Sequence, residues 1–199
     1  MFGEQVQSTR AAQKRRTATR IVEAAAQLFA EHGFQSTTVR QIAAAAGVSV
    51  GTVMAVGDKE SLLGLVYDQA IADRIPAPPE PAEAGAKAPA VEYLAHYFDP
   101  FLALFAENDD LARAYFRTLA RGRPGNAALG GLRTLTEDNL TAAMVNAGMP
   151  EERARLGAQV MFSSYLGELM LLAAGSTDHQ QTPARLRTTA AFVAAQEGN

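Results

Sequence analysis

Side chains that can hydrogen-bond to nucleic acid cluster between positions 38 and 59 of this 199-residue sequence. Thr38 and Arg40 come first, Ser49 and Thr52 follow, and Lys59 closes the group. Arginine can donate two parallel hydrogen bonds to a guanine edge, and hydroxyl and ammonium groups donate to phosphate oxygens. These residue types therefore point to DNA recognition, provided that the local structure presents them together.

The same segment predicts two short helices joined by a turn. The sequence from Thr38 to Gln41 fits a capping box, in which the two residues hydrogen-bond to each other's backbone amides. Gly47 can adopt the left-handed conformation that ends a helix, and Ser49 can cap a second helix over about residues 50–56. Two helices joined in this way suit a protein that places the second one, the recognition helix, in the DNA major groove.

Helices this short are marginal alone, so flanking helices must hold them. A helix predicted from about Ala11 to Glu31, with Gly33 just beyond its end, carries one apolar stripe, and a helix capped by Asp58 carries another. The two stripes consist of Ile21, Ala25, Leu28 and Phe29 upstream, and Leu62, Leu63, Val66, Ala70 and Ile71 downstream. The sequence thus predicts a three-helix reader followed by a fourth helix.

Charge is distributed unevenly along the chain. Residues 1–59 hold seven basic and four acidic side chains, whereas residues 60–199 hold eleven and seventeen. This balance suits a protein that touches phosphates at one end only. The segment from Arg10 to Arg20 is interpreted as a basic arm for phosphate or minor-groove contact, or alternatively as a solvated tail.

Composition argues against several other classes of protein. There is no cysteine, which is compatible with a reducing cytoplasm, and no apolar run approaches the roughly 20 residues that span a bilayer. We therefore expect a cytoplasmic protein without a membrane partner. His32, His96 and His179 are scattered, and no phosphate loop, nucleophile elbow or carboxylate pair is evident, so we expect no metal, no cofactor and no enzymatic activity.

Beyond a proline-rich loop at 76–89, the pattern predicts only helices, and the fold class is all-α. The predicted helices run over about 90–107 with a kink at Pro100, 109–121 with Gly122 as its stop, 129–147, 150–174 and 183–196. The stretch from Gly157 to Ala174 is apolar nearly all round, so it must be buried on several sides. We interpret the last two helices as a two-fold dimer interface, with an ordinary monomeric core as the alternative.

Aromatic and methionine side chains of the C-terminal region could line an apolar ligand pocket or simply form a core. The set comprises Tyr93, Phe98, Phe101, Phe105, Tyr115, Phe116, Met144, Phe162 and Tyr165. Glu168 lies within the most apolar helix, where a carboxylate needs a partner. We expect an arginine across the dimer or a cationic ligand, and favour the structural pair.

Several motifs together closely resemble the tetracycline-repressor-type (TetR/AcrR) family of bacterial regulators over about residues 17–66. They are Gly33-Phe34, Thr37 to Ala43, Ala46 to Ser49, Gly51 to Val53, Lys59-Glu60 and Leu62-Leu63. The resemblance implies an all-helical homodimer with a DNA-binding domain at 1–57 and a ligand-binding and dimerisation domain at 58–199. In that family the ligand lowers affinity for the operator.

The resemblance also implies roles for individual residues. Thr38 and Arg40 would reach phosphate and a base edge, the start of the recognition helix would face phosphate, and Lys59 would clamp the DNA backbone from the other side. The residues predicted to contact DNA are Arg16, Thr38, Arg40, Ser49, Val50, Gly51, Thr52, Met54 and Lys59.

One segment departs from the family pattern. After Gly-Thr-Val the family usually carries a tyrosine and further aromatic or polar residues, whereas this chain has Met54-Ala55-Val56-Gly57 and is one residue shorter. A changed base preference, weaker binding or lost binding are the three interpretations. We favour the first, because Lys59 and the basic arm are retained and Val50 and Met54 can contact a thymine methyl.

The sequence therefore predicts a DNA-binding transcriptional regulator, a repressor released from double-stranded operator DNA by a small, largely apolar effector. The alternative is a helical ligand-binding or interaction protein whose DNA reader has degenerated. A helical enzyme is the remaining rival, and no acid–base or metal-binding set supports it.

Overall fold

The computed structural model describes residues 2–77, 87–121 and 127–195, and over these residues the chain is helical without strands. The helices are α1 (Phe2–Ser36), α2 (Val39–Ala45), α3 (Val50–Val56), α4 (Lys59–Ala72), α5 (Lys87–His96), α6 (Asp99–Ala106), α7 (Asp109–Ala120), α8 (Ala127–Asn146), α9 (Glu151–Ala173) and α10 (Gln181–Ala195). The all-α prediction is confirmed.

The chain forms two compact units. The first unit combines residues 1–70 with 108–125, and the second combines residues 71–107 with 126–199. The first unit thus holds α1 to α3, most of α4, and α7, while the second holds α5, α6 and α8 to α10.

The first unit is built around the apolar stripes that the sequence indicates. Ile21 and Phe29 of α1, Ile42 of α2, Val53 of α3 and Leu62 of α4 are all fully buried. Burying one such side chain stabilises a fold by about 1.5–3 kcal/mol, which compensates for the marginal stability of α2 and α3 as isolated helices.

The second unit packs α8 against α9, α9 against α10, and α5 against both α8 and α10. Gly157 of α9 marks a close approach among these helices. A Cβ at that position would lie 2.8 Å from Val193 Cγ1 and 2.9 Å from Met144 Sδ. Only glycine fits there without displacing a neighbour, so the helices that carry Val193 and Met144 approach α9 closely at this position.

Two predicted helix bounds are wrong. α1 begins at Phe2, nine residues before the predicted start, and runs through Gly3, Ser8 and Thr9, residue types that often mark a helix end. The predicted 90–107 helix is instead two helices, α5 and α6, separated at Tyr97–Phe98. Pro100 does not kink a continuous helix but lies in the first turn of α6, where its missing amide hydrogen costs nothing.

Part of the predicted proline-rich loop, residues 78–86, and the predicted stop at Gly122 lie outside the described residues. Residues 87–89, which the prediction assigned to that loop, belong to α5. The other C-terminal helices, α7 to α10, follow the predicted ranges within a few residues.

α9 is long enough and apolar enough to meet a simple length-and-composition test for a membrane span. The sequence-based expectation that no apolar segment approaches the length of a membrane span is therefore wrong for α9. A core helix in a soluble bundle meets the same test, and α9 buries one face, including Ala158, Met161 and Tyr165, within the second unit.

Candidate nucleic-acid interface

α2 and α3 form a helix-turn-helix with a bend of 104° between them. The capping box at the start of α2 is confirmed. The Thr38 amide donates to Gln41 Oε1 at 2.8 Å, and the Gln41 amide donates to Thr38 Oγ1 at 3.3 Å. An angle near 90–120° is typical of the motif, so the local geometry matches that of a DNA reader.

The turn between the helices follows the predicted chemistry. Gly47 has φ of 62°, a left-handed value that favours glycine, and the Val48 amide donates to the Ala43 carbonyl at 3.0 Å. Ser49 then caps α3 by accepting a hydrogen bond from the Thr52 amide at 3.1 Å, and the two hydroxyls lie 2.8 Å apart. The start of α3 therefore has a fixed conformation.

α3 turns apolar side chains outward. Val53 is fully buried and anchors the helix, whereas Val50 is 42% exposed and Met54 is 51% exposed. Gly51 is exposed and Thr52 is half-buried. A helix held by one buried residue and flanked by hydroxyls can enter a groove and contact both phosphates and thymine methyl groups.

At the start of α2, Thr38 and Arg40 are both exposed. The Thr38 hydroxyl is engaged in the capping box, where it donates to Gln41 Oε1 at 2.8 Å. The Arg40 guanidinium has no hydrogen bond or ion pair within the described part of the chain. Its donors are therefore available to an external acceptor.

The basic segment from Arg10 to Arg20, interpreted as an arm for phosphate or minor-groove contact, is part of α1. Its cations project from the first half of α1, a continuous helix up to Gly33, and each is exposed; they are Arg10, Lys14, Arg15, Arg16 and Arg20. A helix of this kind can present charges to phosphates, but its backbone cannot enter the minor groove as an extended arm can.

Lys59 is already engaged within the first unit. Its Nζ donates to the carbonyl oxygens of Phe34 at 2.8 Å and Thr37 at 3.0 Å, with a longer contact of 3.4 Å to that of Gln35. The ammonium also lies 4.4 Å from the centre of the Phe34 ring. Nothing in the local sequence pattern indicates these contacts, which cross more than 20 residues of chain.

The aromatic set predicted for a ligand pocket divides between the two units. Tyr115 and Phe116 belong to the first unit, where Tyr115 stacks on Tyr67 at 4.4 Å. The other seven belong to the second unit, in which Phe98 stacks on Tyr165 at 4.4 Å and both Phe101 and Phe162 contact Tyr165. Those four rings form one buried cluster.

Two tyrosine hydroxyls beside this cluster lack partners among the described residues. The hydroxyl oxygens of Tyr93 and Tyr97 are buried, and neither makes a well-aligned hydrogen bond to a described residue. Burial raises the pKa of Tyr97, while Thr136 and Asn139 oppose that increase. Both tyrosines therefore remain neutral hydrogen-bonding groups at physiological pH.

A carboxylate that sequence reasoning missed lies between α4 and α7. Burial raises the pKa of Asp68 from its ordinary 3.8 to about 6, and a hydrogen bond with Tyr115 partly opposes that increase. The only sequence indication of this site is an acidic residue beside the buried Tyr67, which is too common a pattern to single it out.

Glu168 has its partner within the same chain. Its side chain is 14% exposed and accepts from Arg185 Nη1 of α10 at 3.4 Å. The favoured structural pair with an arginine is therefore present, and the arginine comes from the same chain rather than from across a dimer. α10 packs against α9 and so brings Arg185 to Glu168, although the two residues are 17 positions apart in the sequence. The sequence pattern does not indicate this pairing.

α9 and α10 each leave apolar side chains exposed. Leu156, Val160, Met170 and Leu171 project from α9 on the side opposite its buried face, and Phe192 of α10 is 62% exposed. Solvent-exposed apolar side chains at this helical spacing form an unpartnered stripe within the single chain.

Comparison with known proteins identifies the helix-turn-helix. Residues 21–56 match the family described as "Bacterial regulatory proteins, tetR family". Residues 21–56 therefore carry a DNA-binding domain of the TetR type. A comparison with curated protein sequences finds no match.

Solved TetR-family structures share the fold over most of the chain. One is a TetR regulator from Rhodococcus sp. RHA1, at 16% identity and TM-score 0.69, covering 92% of this chain and 97% of that one. Thermus thermophilus FadR, a repressor solved with lauroyl-CoA, has 24% identity and TM-score 0.62, with the same two coverages. SmeT, the repressor of a Stenotrophomonas maltophilia efflux pump, has 18% identity and TM-score 0.59, with 88% of each chain covered.

Proposed function

We propose that this TetR-family protein is a homodimeric transcriptional repressor that a small, largely apolar molecule releases from its operator. The observation that carries the proposal is the recognition helix α3, anchored by buried Val53 and flanked by the Ser49 and Thr52 hydroxyls, beside an Arg40 without a partner among the described residues. In the DNA major groove, the exposed apolar side chains of α3 can contact thymine methyl groups and so leave water.

The proposed DNA contacts fall into two kinds. Arg40 reads a base edge, and Val50 and Met54 contact thymine methyls, because only these side chains offer bidentate or apolar readout. Contacts to phosphate come from Arg16, Thr38, Ser49, Gly51 and Thr52. Lys59 is not among these phosphate contacts, because its ammonium is already hydrogen-bonded. In this proposal residues 1–57 form the reading domain.

Dimerisation supplies the second reader. A helix-turn-helix dimer contacts two half-sites about 34–36 Å apart, so one chain alone would bind only half an operator. The stripe of Leu156, Val160, Met170 and Leu171 on α9, together with Phe192 on α10, supports a two-fold interface. Covering these residues with a second copy removes apolar surface from water at about 25 cal/mol per Å².

The proposed effector site lies in the second unit, within residues 58–199. Its apolar part is the aromatic cluster, and its polar part is the pair of buried Tyr93 and Tyr97 hydroxyls. The members retained from the predicted set are Tyr93, Phe98, Phe101, Phe105, Met144, Phe162 and Tyr165, which share this unit. The acyl-CoA in Thermus FadR supports an effector with a large apolar part.

Release follows from a shift between two conformations. An effector must bind the conformation that cannot bind DNA more tightly, by about 1.4 kcal/mol for each tenfold of induction. No cofactor or catalytic step takes part, and the protein acts in the cytoplasm, where its operator lies.

One observation favours a second candidate function. α3 carries no aromatic side chain, and its exposed face is aliphatic, so a helical ligand-binding or interaction protein with a degenerate reader is the alternative. It predicts the absence of salt-dependent DNA binding.

The decisive experiment is binding to duplex DNA, comparing a random pool and the gene's own upstream region at several salt concentrations. Selective binding with a steep salt dependence, weakened at least tenfold by Arg40→Ala or Thr52→Ala, supports the repressor. Arg133→Ala on α8 is the control, because it removes an exposed arginine from the second unit. Absence of binding at low salt, from a folded dimer, supports the degenerate reader.

A further inference from the structure

Lys59 begins α4, and its side chain turns back to the end of α1. Its Nζ donates to the carbonyl oxygens of Phe34 at 2.8 Å and Thr37 at 3.0 Å, and lies 3.4 Å from that of Gln35. An ammonium group has three N–H donors and no acceptor. Three carbonyl oxygens therefore match its full donor capacity, leaving none for a phosphate.

These carbonyls lie where a cation is most favourable. Gly33, with φ of 79° and ψ of 160°, interrupts α1, and the chain makes a final turn before α2. Carbonyls in the last turn of a helix lack helical partners and carry partial negative charge. The Phe34 ring, 4.4 Å from Nζ, adds a cation–π contact and packs on the buried Phe29.

The contact joins two points of the reader. On one side, Thr37 donates through Oγ1 to the Leu28 and Gly33 carbonyls and is followed directly by the cap of α2. On the other side, Lys59 follows Gly57, which ends α3, and Asp58, whose carboxylate accepts from the Ser61 amide at 2.8 Å. Lys59 therefore links the entry of α2 to the exit of α3.

We propose that Lys59 is a positioning residue that fixes the orientation of α2 and α3 through the carbonyls of residues 34–37. It does not itself contact DNA phosphate, in contrast to the clamp role that the family resemblance implies. The inference rests on the proposed DNA-binding function, since it concerns how the reader is held. A positioning role and a phosphate contact can be told apart, because they change the salt dependence of DNA affinity in different ways.

The test uses Lys59→Met in the full-length dimer, with affinity for a binding duplex measured across a salt series. Loss of a phosphate contact makes the slope of log affinity against log salt shallower by about 0.9. A positioning residue instead lowers affinity about tenfold or more at each salt concentration, with the slope unchanged. Arg16→Gln is the comparison, because this exposed cation is proposed to contact phosphate.

A second readout uses the protein without DNA. Amide hydrogen exchange of residues 34–41 should accelerate in Lys59→Met, while exchange in α9 and α10 stays as in the wild type. This result does not depend on DNA, so it separates failure of the inference from failure of the proposed function. A shallower slope with unchanged exchange overturns the positioning role.

Lys59→Arg keeps the proposal testable if the methionine variant does not fold. Its planar guanidinium keeps the positive charge but cannot aim donors at three converging carbonyls. We expect weaker DNA binding with an unchanged salt slope. Wild-type affinity in Lys59→Arg would show that charge alone suffices and would overturn the inference.

Discussion

Helix α3 of the first unit and helix α9 of the second both expose apolar side chains, but the surroundings of those side chains differ. On α3 of the first unit, Val50 and Met54 lie beside the Ser49 and Thr52 hydroxyls, and α2 carries Arg40, which has no partner in the described part of the chain. On α9 of the second unit, the exposed stripe continues for several turns, with Gly167 within it.

This difference indicates different partners. The short apolar surface of α3, which lies among hydrogen-bond donors, fits DNA, whose phosphates accept hydrogen bonds and whose major groove carries thymine methyl groups. The long apolar stripe of α9 fits a second copy of the same helix. Exposure alone would not separate the two surfaces, since single exposed apolar residues are common on proteins. The neighbouring polar groups make the distinction.

The largest expected effect is on the α9 stripe. Leu156→Glu places a charge in the proposed interface, so we expect a dimer-to-monomer transition and at least a 100-fold loss of operator affinity. Light scattering after size-exclusion chromatography gives the mass. Leu135→Glu on α8, at another exposed leucine, is the matched control and should remain dimeric. If Leu156→Glu remains dimeric, the stripe on α9 is not the dimer interface and the proposed difference in partner between α3 and α9 fails.

The buried side of α9 should respond through stability instead. Gly157→Ala forces a Cβ against Val193 and Met144, and we expect a loss of about 1–3 kcal/mol in the free energy of unfolding. Denaturant unfolding measures it. Gly131→Ala on α8 meets no atom within 4 Å and should be neutral or stabilising by up to about 1 kcal/mol. Equal effects of the two substitutions would contradict the close packing at Gly157.

The first unit should carry a pH dependence through Asp68. Because its pKa in the folded protein, about 6, exceeds the ordinary 3.8, its contribution to stability is greatest below about pH 4 and is lost as pH rises through 6. Asp68→Asn cannot ionise, so we expect a gain of about 1 kcal/mol at pH 7.5, discounted for partial exposure, and none at pH 4. Unfolding at both pH values measures this gain.

Tyr115→Phe is the companion variant for Asp68. It removes the hydrogen bond that favours the ionised carboxylate, so the pKa of Asp68 should rise further and the stability decline should extend to higher pH. A gain in Asp68→Asn that is equal at pH 4 and pH 7.5 would show that packing, not ionisation, is responsible.

The smallest effect concerns the apolar contacts of α3. Replacing thymine by uracil in the operator removes only the 5-methyl group, and we expect a loss of affinity of a few-fold for the wild type. Met54→Ala should bind both duplexes equally, which forms a double-mutant cycle between the side chain and the methyl group. A full uracil effect in Met54→Ala would assign the contact to Val50 or another residue.

The helix-turn-helix could be predicted from the sequence, because the interactions that define its helix ends are local. The capping box of Thr38 and Gln41, the left-handed Gly47 and the Ser49 cap each involve residues within a few positions, so residue type and spacing specify them. The sequence pattern missed the break at Tyr97–Phe98 and predicted a kink at Pro100 instead, but a proline is tolerated in the first turn of a helix.

Contacts between groups that are distant in sequence follow from the tertiary structure. Lys59 contacts carbonyls more than 20 residues away, and Glu168 finds Arg185 across 17 positions. The aromatic set divides between two units, because α7 returns to pack against α1. Such pairings depend on the path of the whole chain, and the spacing of apolar residues along a helix does not reveal that path. A helical stripe indicates that a face is buried, but the fold selects the partner that covers it.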